Sequence, residues 1–291
     1  MTSFNIWVEG ARPRTLPAAV APILAGAAAA MHAGRVDLLR TVLALLVAVA
    51  LQVGVNYAND YSDGVRGTDE DRAGPLRLTA SGLAEPAQVR RAAFMSFAVA
   101  ALFGLVIVWL TAQWWLILLG AVSILAGWYY TGGKHPYGYI GLGEVFVFIF
   151  FGLVATVGTT YINVLAAPWY AWCAGAAVGA TACGVLVGNN LRDIPTDKEV
   201  GKHTLAVRLG DQGTRWFYAA LMLLAVVSVV AFAAGTTWWA LIALLGLGVV
   251  VAPLKLVLGG ATGRTLIPVI QGTGMAGIGI GFGLVVGVFL T

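Results

Sequence analysis

Nine runs of apolar residues, each about the length of a bilayer crossing, take up most of this chain. They are continuous rather than alternating, which fits membrane helices and not barrel strands. In lipid, every backbone polar group must be paired within the protein, and a helix does that inside a single segment. The predicted spans are 15–32, 40–58, 92–112, 114–131, 143–162, 169–190, 215–234, 237–258 and 267–290. Of the 291 residues, 59% are hydrophobic, more than a soluble domain of this size can keep from water. The fold class expected is all-α: a polytopic bundle in one domain spanning 1–291. The segment TLPAAVAPILAGAAAAMHAG after Arg12 and Arg14 is read as the first span, because cleaving it as a leader leaves the remaining topology less coherent.

Charge gives an independent check on the span count. With nine spans, all of the 17 Lys and Arg residues except Arg35 and Arg40 fall on the side of the N-terminus. The positive-inside rule then makes that side, and the N-terminus, cytoplasmic. Trp114, Trp115, Trp169, Trp172, Trp238 and Trp239 collect at the opposite, weakly charged side, as an interfacial aromatic belt does. Loops on that side are too short to form a domain, so chemistry is expected on the cytoplasmic face or inside the bundle. Every carboxylate but Asp37 also lies on the cytoplasmic side.

Five of those carboxylates fall within residues 56–72, NYANDYSDGVRGTDEDR, at the end of the second span. The sixth span ends in a comparable stretch, NNLRDIPTD (189–197). In both an Asn precedes an Asp by four positions, Asn56 with Asp60 and Asn189 with Asp193, and another Asp follows. This correspondence suggests a pseudo-repeat, 15–131 and 143–258, with 267–290 as an extra final helix. On a helix, Asp60 and Asp63 share a face, as do Asn59 and Asp63. Asp193 and Asp197 have the same relationship, with Pro195 between them as a candidate helix break.

Carboxylates this close repel one another unless a cation lies between them. Mg²⁺ suits the position, because it takes carboxylate oxygens together with the oxygens of a bound phosphate. Arg66, Arg72 and Arg77 follow the first stretch, while Arg192, Lys198, Lys202 and Arg208 surround the second. Acids that hold a metal, with bases that contact the remaining phosphate oxygens, make a site for Mg²⁺–diphosphate. Glu70, Asp71, Glu85 and Glu199 read instead as solvated loop charges. Asp60, Asp63, Asp193 and Asp197 do not, because ionisable groups at membrane-helix ends are costly and tend to be functional.

These residues carry a resemblance. NDYSD (59–63), with Asp69 beyond it, resembles the first aspartate-rich motif of the UbiA-type intramembrane prenyltransferases, and DIPTD (193–197) resembles the second. RPRTLPA (12–18), YTGGKHPYGYIGLGE (130–144) and NNLRDIPTDKEVGKHTLAVRLG (189–210) are similar to the menaquinone-pathway branch of that superfamily. The superfamily pattern places a third Asp where this chain has Gly67; the acid comes instead at Asp69, so Asp69 is read as either a direct ligand or a support for one. The resemblance implies nine helices around a central cavity, and two Mg²⁺ held by the acid motifs. It further implies transfer of a polyprenyl chain from its diphosphate to 1,4-dihydroxy-2-naphthoate with loss of CO₂.

On that basis Asp60, Asp63, Asp193 and Asp197 are the expected catalytic metal ligands, supported by Asn56, Asn59, Asp69 and Asn189. Arg66, Lys134, Arg192 and Lys202 are expected at the diphosphate. Arg12, Arg14, Tyr130 and Tyr139 are expected at the organic substrates, with Tyr57, Tyr61 and Tyr137 also near the motifs. The expected setting is the cell membrane, with the site toward the cytoplasm, a lipid bilayer as partner and no nucleic acid.

Two other functions place different demands on such residues. A transporter needs polar groups at several depths, whereas these acids lie on one side. Another acceptor, such as 4-hydroxybenzoate, haem or a sugar phosphate, fits the superfamily but not the branch-like stretches. Gly277, Gly279, Gly281, Gly283 and Gly287 read as a packing surface rather than a nucleotide loop. Cys173 and Cys183, about 15 Å apart along one helix, are too far apart to bridge.

Overall fold

The computed structural model describes residues 3–67 and 76–291, and every regular element among them is helical. A short α1 (Ser3–Ala11) leads through a 3-10 turn (Pro13–Thr15) into α2 (Pro17–His32). There follow α3 (Leu38–Arg66), α4 (Pro86–Thr111) and α5 (Leu116–Tyr129). Next come α6 (Gly143–Val164), α7 (Trp169–Glu199) and α8 (Leu205–Gly235). A broken pair, α9 (Trp238–Gly248) and α10 (Val251–Leu258), precedes the final α11 (Ile267–Phe289).

Six of these helices are long and apolar enough to cross a membrane, and the number rises to eight if each of two bent pairs is one span. The bends are 48° between the N-terminal segment and α2, and 49° between α9 and α10. Helix α5 is apolar but only 14 residues long. Four helices overrun their expected limits on the charged side, α4 among them with its start at Pro86. α3 continues to Arg66, α7 continues to Glu199, and α8 begins at Leu205. Asp60, Asp63, Asp193 and Asp197 therefore lie on helical extensions of the predicted spans. Pro195 does not break α7, which runs on through it to Glu199. A proline near a helix end forfeits one backbone bond, and its ring can be accommodated where packing on both sides holds the helix.

Small residues bring the helices together. Hydrocarbon offers no hydrophobic drive between helices, so close backbone approach and dispersion supply the association. A Cβ at Gly152 in α6 would lie 2.7 Å from Gly179 Cα in α7, and one at Gly26 in α2 would lie 2.4 Å from the Thr156 carbonyl oxygen in α6. The main core lies among α2, α7, α8 and α11, with Tyr218, Phe232, Leu266, Ile280 and Leu284 fully buried. A narrow cleft opens between α2, α7 and α11, with Ala21, Thr181 and Gly277 on its walls.

The end of the bundle at the start of α3 is tied by Arg40. Its guanidinium donates to the carbonyls of Ile162 at 2.8 Å and Leu110 at 3.2 Å, near the ends of α6 and α4. Those carbonyls are the negative ends of helix dipoles, a natural place for a cation. Asp37 caps α3 by accepting from the Arg40 amide, and Asn163 accepts from the Asp37 amide at 2.7 Å.

Candidate active site

The last three turns of α3 present Asn56, Asn59, Asp60, Asp63 and Arg66. Asp60 is wholly buried, and its two carboxylate oxygens accept from the amides of Leu78 and Thr79, each at 2.9 Å. That pair fastens the segment beyond residue 75 back onto α3. Gly64 makes the docking feasible, since a Cβ there would meet Thr79 Cβ at 2.5 Å. Asp63 is also buried; it accepts from the Tyr139 hydroxyl at 2.5 Å and pairs with Lys202 Nζ at 3.7 Å. Asn59 accepts from Thr131 Oγ1 at 2.8 Å.

Asn56 faces the N-terminal segment. Its Nδ2 donates to the Ala11 carbonyl at 2.8 Å and to Thr15 Oγ1 at 2.9 Å, while Gln52 donates to its Oδ1 at 3.2 Å. Asn56 thus pins the bend between α1 and α2. Arg66 donates to the carbonyls of Thr131 and Gly133, so its guanidinium holds the turn that carries Lys134. Lys134 itself is exposed on that turn. Asp69, Glu70, Asp71 and Arg72 lie outside the described residues.

The second stretch occupies the end of α7. Asp193 and Asp197 are buried, and Asn190 is buried on the same face at the i, i+3, i+7 spacing. Arg192 makes a two-point contact with its neighbour Asp193, Nε to Oδ1 at 2.6 Å and Nη2 to Oδ2 at 2.9 Å. The side chain of Asn189 turns back to its own helix, donating to the Val185 carbonyl at 3.0 Å.

Two short connections join the stretches. After α7 the chain folds back so that the Lys202 amide donates to the Asp197 carbonyl at 2.8 Å, and its ammonium reaches Asp63. The His203 amide donates to the Tyr139 carbonyl at 2.9 Å. The Tyr139 ring lies under Lys202 Nζ at 4.6 Å and Arg66 Cζ at 5.4 Å, both within cation–π range. Tyr139, Asp63, Lys202 and Arg66 therefore form one electrostatic unit spanning α3, the loop before α6 and the loop after α7.

Of the remaining expected residues, Tyr130 is half-buried and packs edge-on to Tyr137 at 5.5 Å. Tyr137 donates to the Ala126 carbonyl at 2.7 Å, and burial pushes its hydroxyl pKa up, so it stays protonated. Arg12 sits at the bend in a left-handed conformation, φ 54°, directly before Pro13. That is a costly place for a non-glycine residue. Arg14, two residues further on, is exposed. Tyr57 and Tyr61 serve packing: Tyr57 donates to the Trp7 carbonyl at 2.8 Å, and Tyr61 stacks on Trp128.

Among the described residues, no three His, Cys, Asp or Glu side chains converge as a closed metal cage. The donors present are buried carboxylates and amide oxygens, the hard ligands that Mg²⁺ prefers, and such sites routinely complete their shell with water and substrate phosphate. The donor set fits that ion in company with a diphosphate.

Glu144 and Asn190 are absent from the sequence-based set. Glu144 is 4% exposed at the start of α6, and its Oε1 accepts from Asn190 Nδ2 at 2.9 Å. The signals were present: Glu144 is an acid at the head of an apolar run, and Asn190 stands three positions before Asp193.

Residues 19–261 match the UbiA prenyltransferase family. The chain is 52% identical over 281 residues to the 1,4-dihydroxy-2-naphthoate octaprenyltransferase of Mycobacterium tuberculosis, covering 95% of this chain and 94% of that protein. It is 40% identical over 228 residues to the Escherichia coli protein of the same name, covering 75% and 72%. Among solved structures, a UbiA homolog from Aeropyrum pernix K1 superposes with a TM-score of 0.68 at 15% identity, over 94% of this chain and 97% of that one. A UbiA homolog from Archaeoglobus fulgidus bound to DMAPP and Mg²⁺ gives 0.59 at 15% identity, over 96% and 99%. Acid motifs on two helix ends, a shared fold and similarity along nearly the whole chain agree: this protein belongs to the UbiA prenyltransferase family.

Proposed function

We propose that this protein transfers a polyprenyl chain from its diphosphate to 1,4-dihydroxy-2-naphthoate, releasing CO₂ and diphosphate and giving demethylmenaquinol, the reduced form of demethylmenaquinone, for menaquinone biosynthesis. The observation that carries this reading is the 52% identity to a protein of that activity across 95% of the chain. The site supports it independently. Buried acids from two helices meet Lys202 and Arg192 at one end of an apolar bundle, which is the arrangement a charged head on an insoluble tail requires.

Asp60, Asp63, Asp193 and Asp197 would hold Mg²⁺, with Asn59 and Asn189 beside them; a homolog of the same fold carries Mg²⁺ with DMAPP. Bound there, the metal neutralises the diphosphate and eases its departure. The chain's own groups do the rest. Lys202 and Arg192 supply donors to phosphate oxygens, and Lys134 is the exposed cation at the mouth. Arg12, at the strained bend, and Tyr130 lie toward the organic substrates, with Arg14 at the membrane surface. Water must be kept from the allylic cation, and a site closed by helix ends and aromatic rings does so.

Nine spans, with the N-terminus and site cytoplasmic in the cell membrane, fit this reading. Each bent pair would count as one span, and α5 would be the short ninth. The pseudo-repeat 15–131 and 143–258, followed by 267–290, places one acid motif in each half.

The test uses purified protein in detergent with 1,4-dihydroxy-2-naphthoate and a polyprenyl diphosphate, in Mg²⁺ or excess EDTA. Product and CO₂ are followed by mass. Mg²⁺-dependent, decarboxylated prenyl product is expected. Diphosphate binding without product would point to another acceptor, and neither binding nor product would overturn the reading.

A further inference from the structure

Glu144 is a carboxylate placed inside the bundle, not at its wet edge. It is 4% exposed, at the head of a helix whose next residues are VFVFIFF. An acid in such surroundings is expensive and persists where something holds it in place or uses it. Two features hold it. It occupies the first turn of α6, at the positive end of the helix, and Asn190 Nδ2 donates to Oε1 at 2.9 Å. Neither requires a charge there.

Its depth is informative. α7 runs toward its charged end at Glu199, and Asn190 precedes Asp193 by three residues on the same buried face. Glu144 is therefore about one helical turn, ~4.5 Å, further into the apolar interior than the Asp193 level. If the diphosphate is held by the acids, the reacting carbon of the tail and the aromatic acceptor lie on that inner side. Tyr130 borders the same place: a Cβ on Gly143 would be 3.5 Å from its hydroxyl oxygen.

A second observation is independent of charge. One turn beyond Glu144, α6 changes to a π-helix over Phe148–Val154. Such widened turns are uncommon and occur frequently at functional sites. Here the π-helix brings Gly152 against the backbone of Gly175 and Gly179 in α7, the helix that also carries Asn190. The start of α6 and the middle of α7 are thereby locked in register.

The geometry points to Glu144 as the group that takes the proton from a ring hydroxyl of the aromatic acceptor, with Asn190 as its positioning residue; this rests on the transferase reading above. As the hydroxyl O–H bond breaks, its proton passes to Glu144 and its electron pair forms a ring carbonyl. Ring electrons at the carbon bearing the carboxylate form the new bond to the first carbon of the prenyl chain. The bond from that carbon to the diphosphate oxygen breaks, and diphosphate leaves with the pair. The product of this step is a β-keto carboxylate. Loss of CO₂ returns electrons to the carbonyl oxygen, which recovers the proton from Glu144. No net proton is consumed and no redox partner is needed.

Glu144→Gln tests this, because glutamine keeps an oxygen for Asn190 but cannot take a proton. The expected result is a fall of roughly 10²–10⁴-fold in kcat. KM for both substrates should stay within about threefold, and pyrophosphate–Mg²⁺ affinity by calorimetry should be unchanged. Glu144→Asp should recover part of kcat, and Asn190→Ala should lose about tenfold. Melting in detergent checks folding; if Glu144→Gln does not fold, the Asp and Asn190 variants give the same reading. A kcat near wild type overturns the inference, as does a loss confined to KM or matched by lost pyrophosphate binding. Wild-type protein assayed in parallel separates that failure from failure of the transferase reading, in which wild type itself forms no product.

Discussion

The hydroxyl of Tyr139 donates to the carboxylate of Asp63 at 2.5 Å, joining residues 76 positions apart. Tyr139 also carries two cations on its ring, Lys202 at 4.6 Å and Arg66 at 5.4 Å, and accepts a backbone bond from His203. One side chain thus reports to both acid-bearing regions at once. Its position two residues from the Tyr137 packing site illustrates how little sequence distance separates a structural tyrosine from one in the site.

Tyr139→Phe keeps the ring and its cation contacts but removes the donor. A hydrogen bond to a charged group is worth about 1.5–3 kcal/mol, so kcat/KM should fall by roughly 10–100-fold. Tyr137→Phe, which loses only a bond to the Ala126 carbonyl, should lower stability by about 1 kcal/mol and leave kcat/KM nearly intact. Steady-state assays of the two variants side by side decide it. Equal activities would remove Tyr139 from the site.

Lys202 and Asp63 are both almost wholly buried, with side-chain exposures of 7% and 4%. In this arrangement the ammonium balances a charge that a divalent ion would otherwise balance. Lys202→Met should therefore melt earlier without metal, by the equivalent of about 3 kcal/mol, the low end for breaking a buried pair, since Tyr139 remains. Mg²⁺ alone should raise its melting temperature more than it raises that of wild type, while added pyrophosphate should raise it less, because a phosphate donor is gone. A variant that melts like wild type without metal and with Mg²⁺ alone would show that the ammonium does not balance Asp63.

The two acids of the first stretch differ in what they hold, although their spacing makes them look equivalent. Asp60 binds two backbone amides, and Asp63 binds a hydroxyl and an ammonium. Asp60→Asn should lose both activity and stability, because an amide cannot accept from both N–H groups in the same geometry. Asp63→Asn and Asp193→Asn should nearly abolish turnover while the protein stays folded. Melting curves with product assays on the three variants separate these effects, and full activity in Asp63→Asn or Asp193→Asn would sink the metal assignment.

The long helices and the acid pairs were legible in the sequence because both are written in short-range patterns: apolar run length, and spacings of three and four. What was not legible depends on chain reversals. Nothing local says that Asn56 turns toward Ala11 and Thr15, or that Arg66 spends its guanidinium on the carbonyls of Thr131 and Gly133. Both follow from how the α1–α2 bend and the 130–133 turn dock on α3. Pro195 gave a misleading local signal, since a proline raises the cost of a helix without deciding it where burial on both sides holds the helix. Glu144 was overlooked for a related reason. A single acid at the head of an apolar run looks like a helix-start signal until Asn190 is seen opposite it.

Gly279, Gly283 and Gly287 fall four residues apart, on the face of α11 that meets α9. Added Cβ atoms would lie 2.7 Å from Gly246 Cα, 2.4 Å from Ala243 Cα and 2.4 Å from Ala240 Cα respectively. These are backbone atoms, so the contact cannot be relieved by turning a side chain. Gly283→Val should separate the two helices at a cost of about 1–3 kcal/mol, in line with other overpacked interiors, and more if the broken α9–α10 pair shifts with it. Gly104, in the middle of α4 with nothing within 4 Å of an added Cβ, is the matched control. Gly104→Ala should be neutral or stabilising by up to about 1 kcal/mol, because alanine is the better helix former. Thermal melting of both variants in one detergent compares them directly. If Gly283→Val melts with Gly104→Ala, α11 is not held by backbone contact and the glycine face has another purpose.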